Sequence, residues 1–149
     1  IMKNYIVFFF VLLGISVLLG ALGSHFLYQL TENEKLVGTW MSTLNYQFFH
    51  VLGGILMLLV FKQCNITDKW PVNLLIAGLF LFCGTYYLKI GLKLEDPGMR
   101  LRYLNYLRPI GGILFVVGWF GAAALVNRKI VREAKRDSGK KSRRKKQSS

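Results

Sequence analysis

No charged side chain falls between Lys3 and Glu32, and further charge-free stretches run from Lys35 to Lys62, Lys69 to Lys89 and Arg108 to Arg128. Acidic residues are scarce everywhere, seven in 149, and none lies inside those stretches. Two cysteines, Cys64 and Cys83, and two histidines, His25 and His50, are too few for a disulfide framework or a Cys/His zinc cluster. No Ser/His/Asp set has a recognisable spacing either. These absences leave no basis for hydrolytic or metal chemistry, and the expectation is a non-catalytic protein without a metal or other cofactor.

What is present is hydrocarbon, with 53% of residues apolar. A helix rising ~1.5 Å per residue needs about 20 apolar residues to cross a hydrocarbon core of ~30 Å. The charge gaps therefore predict an all-α, integral membrane four-helix bundle with spans at about 5–30, 43–61, 70–88 and 109–127. Pro71 and Pro109 fit the first turns of spans three and four, where a missing N–H costs nothing. Thr31-Glu32-Asn33-Glu34 matches a capping box, and Leu36, Val37, Trp40, Met41 and Leu44 then recur at helical spacing. That pattern predicts a short interfacial helix between spans one and two. Trp70, Tyr86, Tyr87, Tyr106 and Trp119 fall near span ends, as amphipathic rings do. An N-terminal cleaved signal is the alternative for span one, but the apolar run from Tyr5 to Leu22 exceeds the usual length of such a region.

The net charge of +13 divides unevenly: residues 1–127, the membrane domain, carry +4, and residues 128–149 carry +9. With four spans, both termini share one side, which holds fourteen Lys/Arg against six opposite. The excess of positive charge inside places both termini in the cytoplasm or the mitochondrial matrix. The tail, ending in Lys140-Lys141-Ser142-Arg143-Arg144-Lys145-Lys146, has too few apolar residues for a core and is expected to be disordered. Lys140, Lys141, Arg143 and Arg144, together with Arg100, Arg102 and Arg108 on the far side, are candidates for contact with anionic lipid such as cardiolipin or with a partner subunit. RNA or a ribosome is an alternative partner for the tail, although no aromatic rings are interleaved for base stacking.

Polar groups at membrane depth need partners. Thr43, Tyr46, Gln47, His50, Gly53 and Gly54 share one face of span two. Ser16, Gly20, Gly23 and Ser24 share one on span one, and Gly111, Gly118, Gly121 and Ala122 one on span four. Small residues let helices approach closely, so Gly20, Gly23, Ser24, Gly53, Gly54, Gly84, Gly111, Gly112 and Gly118 are expected at helix contacts. His25, His50, Tyr46 and Gln47 form the candidate polar or ligand site, because span lengths place both histidines near the same membrane face. Structural hydrogen bonding is the plain reading of that group. Haem or another ligand held by His25 and His50 is the alternative, which would make the protein a small carrier.

The order of motifs is also familiar: Gly20-Ala21-Leu22-Gly23-Ser24-His25, Tyr46-Gln47-Phe48-Phe49-His50, Phe82-Cys83-Gly84-Thr85-Tyr86-Tyr87, Pro109-Ile110-Gly111-Gly112 and Gly118-Trp119. Over residues 14–125 the chain resembles the small four-helix membrane proteins classed as domain of unknown function 423, which include the transmembrane protein 256 type. It departs from them at Ser24, at Arg108, which replaces a small polar residue, and in the length of the 89–108 connection. The resemblance implies a bacterial or mitochondrial inner-membrane protein and no particular activity. With the basic additions at both faces, the expected role is an accessory subunit or assembly factor of a larger inner-membrane complex of respiratory or translocation type.

Overall fold

The computed structural model describes residues 2–27, 29, 34–95 and 104–147. Lipid offers the backbone no hydrogen-bond partners, so each apolar stretch closes its own bonds as a helix. Helix α1 (Met2–Ala21) runs into a wider π turn, π1 (Leu22–Leu27); α2 spans Glu34–Gln63; α3 (Trp70–Leu79), π2 (Phe80–Gly84) and α4 (Thr85–Glu95) form one continuous rod; and α5 spans Leu104–Gln147. Among the described residues, four segments are long and apolar enough to cross a membrane: Met2–Leu27, Glu34–Gln63, Trp70–Leu92 and Tyr106–Arg136.

Contacts fix an up-down-up-down arrangement. Phe9 fills the space beside Gly54, Ser16 meets Gln47, and Trp40 reaches Leu19, so α1 and α2 are antiparallel. Cys83 touches Thr43 and Tyr86 touches Leu36, which sets the third rod antiparallel to α2. Trp70 lies against Gly121 and Phe82 against Gly111, so α5 turns back once more. Tyr5 Oη donates to Asn73 Oδ1 at 2.8 Å and ties the start of α1 to the start of α3. One core gathers Phe9, Val51, Leu58, Phe61, Val72 and Leu75, and a smaller one at the opposite end joins Leu27, Trp40, Tyr86 and Ile90. Phe10, Val17, Phe49, Leu56, Ile113 and Phe120 point outward, as lipid-facing side chains do.

The structure corrects the sequence-based expectations at several places. The interfacial helix is not a separate element: α2 is unbroken for 30 residues, about 45 Å at ~1.5 Å per residue. No proline interrupts it, and Trp40 Nε1 donating to the Leu19 carbonyl at 2.9 Å anchors its first third to α1. The residues proposed for its capping box, Thr31 to Asn33, lie outside the described residues. Pro109 does not start a helix but sits inside α5, which begins at Leu104. It forfeits a single hydrogen bond, to the Asn105 carbonyl, near the membrane surface. Tyr86 is buried and Tyr87 half-buried, so both turn into the bundle and not toward the headgroups.

The basic tail is helical through Gln147 and not unfolded. Its Lys, Arg, Glu, Ala and Gln residues are good helix formers, and a helix already nucleated in the span propagates without a new nucleation penalty.

Candidate functional site

The polar groups of the bundle gather around one face of α2. Gln47 Nε2 donates to Ser16 Oγ at 2.7 Å, and Ser16 Oγ donates to the Leu12 carbonyl at 2.8 Å. Ser16 is 0% exposed and Gln47 4%, so the pair crosses the α1–α2 contact entirely out of solvent. Four residues earlier on α2, Thr43 Oγ1 donates to the Thr39 carbonyl at 2.8 Å and accepts from Arg108 Nη2 at 3.3 Å. The Cys83 thiol, on π2, approaches the Thr43 carbonyl at 3.6 Å.

Arg108 was expected to face lipid or a partner. It turns inward instead, its guanidinium carbon 4.9 Å from the Phe82 ring centre and 4.7 Å from that of Tyr86. Two π faces draw a cation in where the charge-free stretches offer no acidic side chain. Among the described residues, Arg108 Nε and Tyr87 Oη are both buried without a hydrogen-bond partner. Next to Tyr87 a cavity of about 120 Å³ opens between α1 and the third rod, lined by Leu12, Ile15, Leu19, Gln47, Phe80 and Cys83 among others. A π turn adds a residue to its helical turn, and π2 lies where Phe82 and Cys83 make these contacts.

The histidines separate. His50 Nδ1 lies 2.8 Å from the Tyr46 carbonyl, and since a carbonyl only accepts, Nδ1 carries the hydrogen. Its ring stacks on Phe115 at 3.6 Å between centres, with Tyr46 and Trp119 beyond, beside a groove of about 390 Å³. His25 is exposed on π1. Because Gly23 packs on Trp40, His25 lies at that level or beyond it, whereas His50 is ten residues further along α2, about 15 Å at ~1.5 Å per residue. The candidate group thus divides in three: Gln47 toward α1, Tyr46 and His50 toward π2 and α5, and His25 at the far end. That separation does not fit one ligand held between His25 and His50 among the described residues.

Of the glycines expected at contacts, Gly20 meets Leu44, Gly23 Trp40, Gly53 Trp119 and Gly54 Phe9, while Gly111 and Gly118 meet backbone atoms of the third rod. Gly84 and Gly112 meet nothing within 4 Å among the described residues, a correction. Gly78 was missed; a Cβ there would fall 2.7 Å from the Phe115 ring. The side chains of Ser24, Lys140, Lys141, Arg143 and Arg144, and all of Arg100 and Arg102, lie outside the described residues. Thr43 and Ser16 stand on the faces named from sequence, but Cys83 carries no signal beyond its place in a motif, and Tyr86 reads from sequence as a span-end ring and not as a packing residue.

The Ser16–Gln47 bond gives a direct test of the polar seam. A double-mutant cycle with Ser16→Ala and Gln47→Leu, read by reversible unfolding in mixed micelles, should return a coupling of about 0.6 kcal/mol and up to ~1.7. Strict additivity of the two substitutions would contradict the contact.

A sequence profile described as "Protein of unknown function (DUF423)" matches residues 19–112, which include Thr43, Gln47, His50, Tyr86 and Arg108. A UPF0382 membrane protein of Staphylococcus haemolyticus is 34% identical over 115 residues, covering 74% of this chain and 88% of its own length. One from Schizosaccharomyces pombe is 38% identical over 108 residues, covering 70% and 86% respectively. The UPF0382 inner membrane protein YgdD of Escherichia coli is 33% identical over 106 residues, covering 70% and 75%. No solved structure matches the chain. With four membrane-spanning helices and these relatives, the chain belongs to the DUF423 family of membrane proteins.

Proposed function

We propose that this protein is a non-catalytic accessory subunit or assembly factor of a larger inner-membrane complex, with both termini on the cytoplasmic or matrix side. The observation that carries the reading is the length of α5. Its 44 residues amount to about 66 Å at ~1.5 Å per residue, more than twice the ~30 Å hydrocarbon core. The excess is a helical arm bearing eleven basic and two acidic residues after Asn127.

Distance decides what such an arm serves. Attraction to anionic lipid fades within a Debye length of ~8 Å. Lys140, counted along the helix from Asn127, stands about 20 Å out at ~1.5 Å per residue. The base of the arm is within reach of the headgroups, and the distal cluster fits an acidic protein surface held away from the membrane. Two long-range features give such a partner a rigid mount: the Trp70–Gly121 contact and the pairing of α3 with α5, the most extensive in the bundle.

Chromosomal tagging, mild-detergent extraction and native electrophoresis test the proposal. The full chain should migrate in an assembly well above its own 17.0 kDa plus detergent, and deletion of residues 136–149 should release it while leaving it in the membrane. A full-length chain that migrates alone at natural expression overturns the reading. Loss of the assembly on ribonuclease treatment would assign the arm to RNA instead.

A further inference from the structure

The turn between α2 and α3 is built to meet the base of the arm. Asn65 adopts left-handed backbone with φ 52°. The Ile66 N–H donates to the Phe61 carbonyl at 2.8 Å and the Asn65 N–H to the Lys62 carbonyl at 3.2 Å, the paired bonds of a Schellman stop. Ile66 and Phe61 are buried together in the main core, and Lys69 Nζ donates to the Ile66 carbonyl at 3.0 Å. Burial holds the Lys69 ammonium below its ordinary pKa, with neighbouring Asp68 opposing the shift.

So pinned, the turn encloses a pocket of about 260 Å³ against α5. Arg128, Lys129 and Arg132 line one wall, and Asn65, Thr67 and Asp68 the other. Arg128 and Arg132 stand one helical turn apart and so share a face. Among the described residues none of the three cations has an ion-pair partner. One carboxylate facing three cations leaves the pocket positive. Leu125 and Ile66 supply an apolar floor on the membrane side. The level also matters: α2 ends at Gln63 and the last charge-free stretch ends at Asn127, so the pocket lies where hydrocarbon gives way to headgroups.

We propose that this pocket binds the phosphate of an anionic phospholipid of the inner leaflet. Hydrocarbon beneath, cations above and polar groups opposite reproduce the polarity order of a glycerophosphate. Guanidinium groups bind phosphate oxygens through paired N–H donors. A wall with excess positive charge disfavours the ammonium of a choline headgroup, so phosphatidylglycerol should be retained over phosphatidylcholine.

Native mass spectrometry of the full chain, extracted into detergent with equal phosphatidylglycerol and phosphatidylcholine of the same acyl chains, tests this. Wild type should keep phosphatidylglycerol at least tenfold over phosphatidylcholine. The R128Q/K129Q/R132Q variant should lose that preference, Asp68→Asn should strengthen it severalfold, and K140Q/K141Q/R143Q/R144Q should leave it unchanged. Unaltered retention in the triple variant, or equal loss in the distal one, overturns the site. Displacement of the lipid by millimolar inorganic phosphate would assign the pocket to a free anion and overturn the lipid assignment. The distal variant and the 136–149 deletion address the partner-docking arm, so the two proposals fail separately.

Discussion

Gly111→Ala should lower the stability of the bundle by about 1–3 kcal/mol, the cost of forcing extra volume into a closed contact. A Cβ at this position would stand 2.7 Å from the backbone nitrogen of Phe82 and 3.1 Å from the carbonyl oxygen of Gly78. Neither is a side chain that can rotate aside, so α5 and the third rod must separate along their contact. The shift would also carry Arg108, three residues earlier, away from Phe82 and Tyr86. Gly112→Ala is the matched control, because nothing among the described residues lies within 4 Å of a Cβ there. That variant should be neutral or more stable by up to ~1 kcal/mol, the usual gain of alanine over glycine within a helix. Unfolding in mixed micelles, or the temperature of half-aggregation of a fluorescent fusion, separates the two. Equal behaviour of the neighbours would show that α3 and α5 do not cross here.

That pair of glycines also marks how far the sequence could be read. Charge gaps located the four helices because a buried backbone charge-free over ~20 residues has few other solutions in lipid. They could not set the helix ends. Trp40 holds the start of α2 to α1 through a contact 21 residues away in sequence, and nothing local distinguishes that from a surface helix. The small-residue faces identified Gly111 correctly, yet Gly112 has the same composition and points into open space. Rotation about the helix axis, fixed only by the partner helix, decides between them. Similarly, span lengths placed His25 and His50 near one membrane face, while the register set by Gly23 on Trp40 and Gly54 on Phe9 moves them apart. Ser16 and Gln47 were each legible as polar groups on packing faces. Their bond depended on a register the sequence does not state.

Arg108 was the least legible residue, since an arginine beside a proline at a span start ordinarily snorkels toward headgroups. Its inward setting yields a graded expectation. Arg108→Glu removes a cation from two ring faces, contacts worth about 0.5–2 kcal/mol each, and presents a carboxylate to the same electron-rich surfaces. It also removes the donor to Thr43. A loss of about 3 kcal/mol follows, enough to make the variant aggregate on extraction. Arg108→Met should behave differently. Methionine keeps most of the volume although it ends about where Nε stands, packs well against aromatic rings, and removes the buried Nε that has no partner among the described residues. Replacing a poorly compensated buried charge with an apolar group of similar shape is commonly neutral or stabilising. The comparison therefore separates two meanings of this residue. If Arg108→Met is as stable as wild type yet the assembly on native gels is lost, the cation is retained for a partner and not for the fold. If it unfolds as Arg108→Glu does, the two rings and Thr43 need the guanidinium to hold α2, the third rod and α5 together.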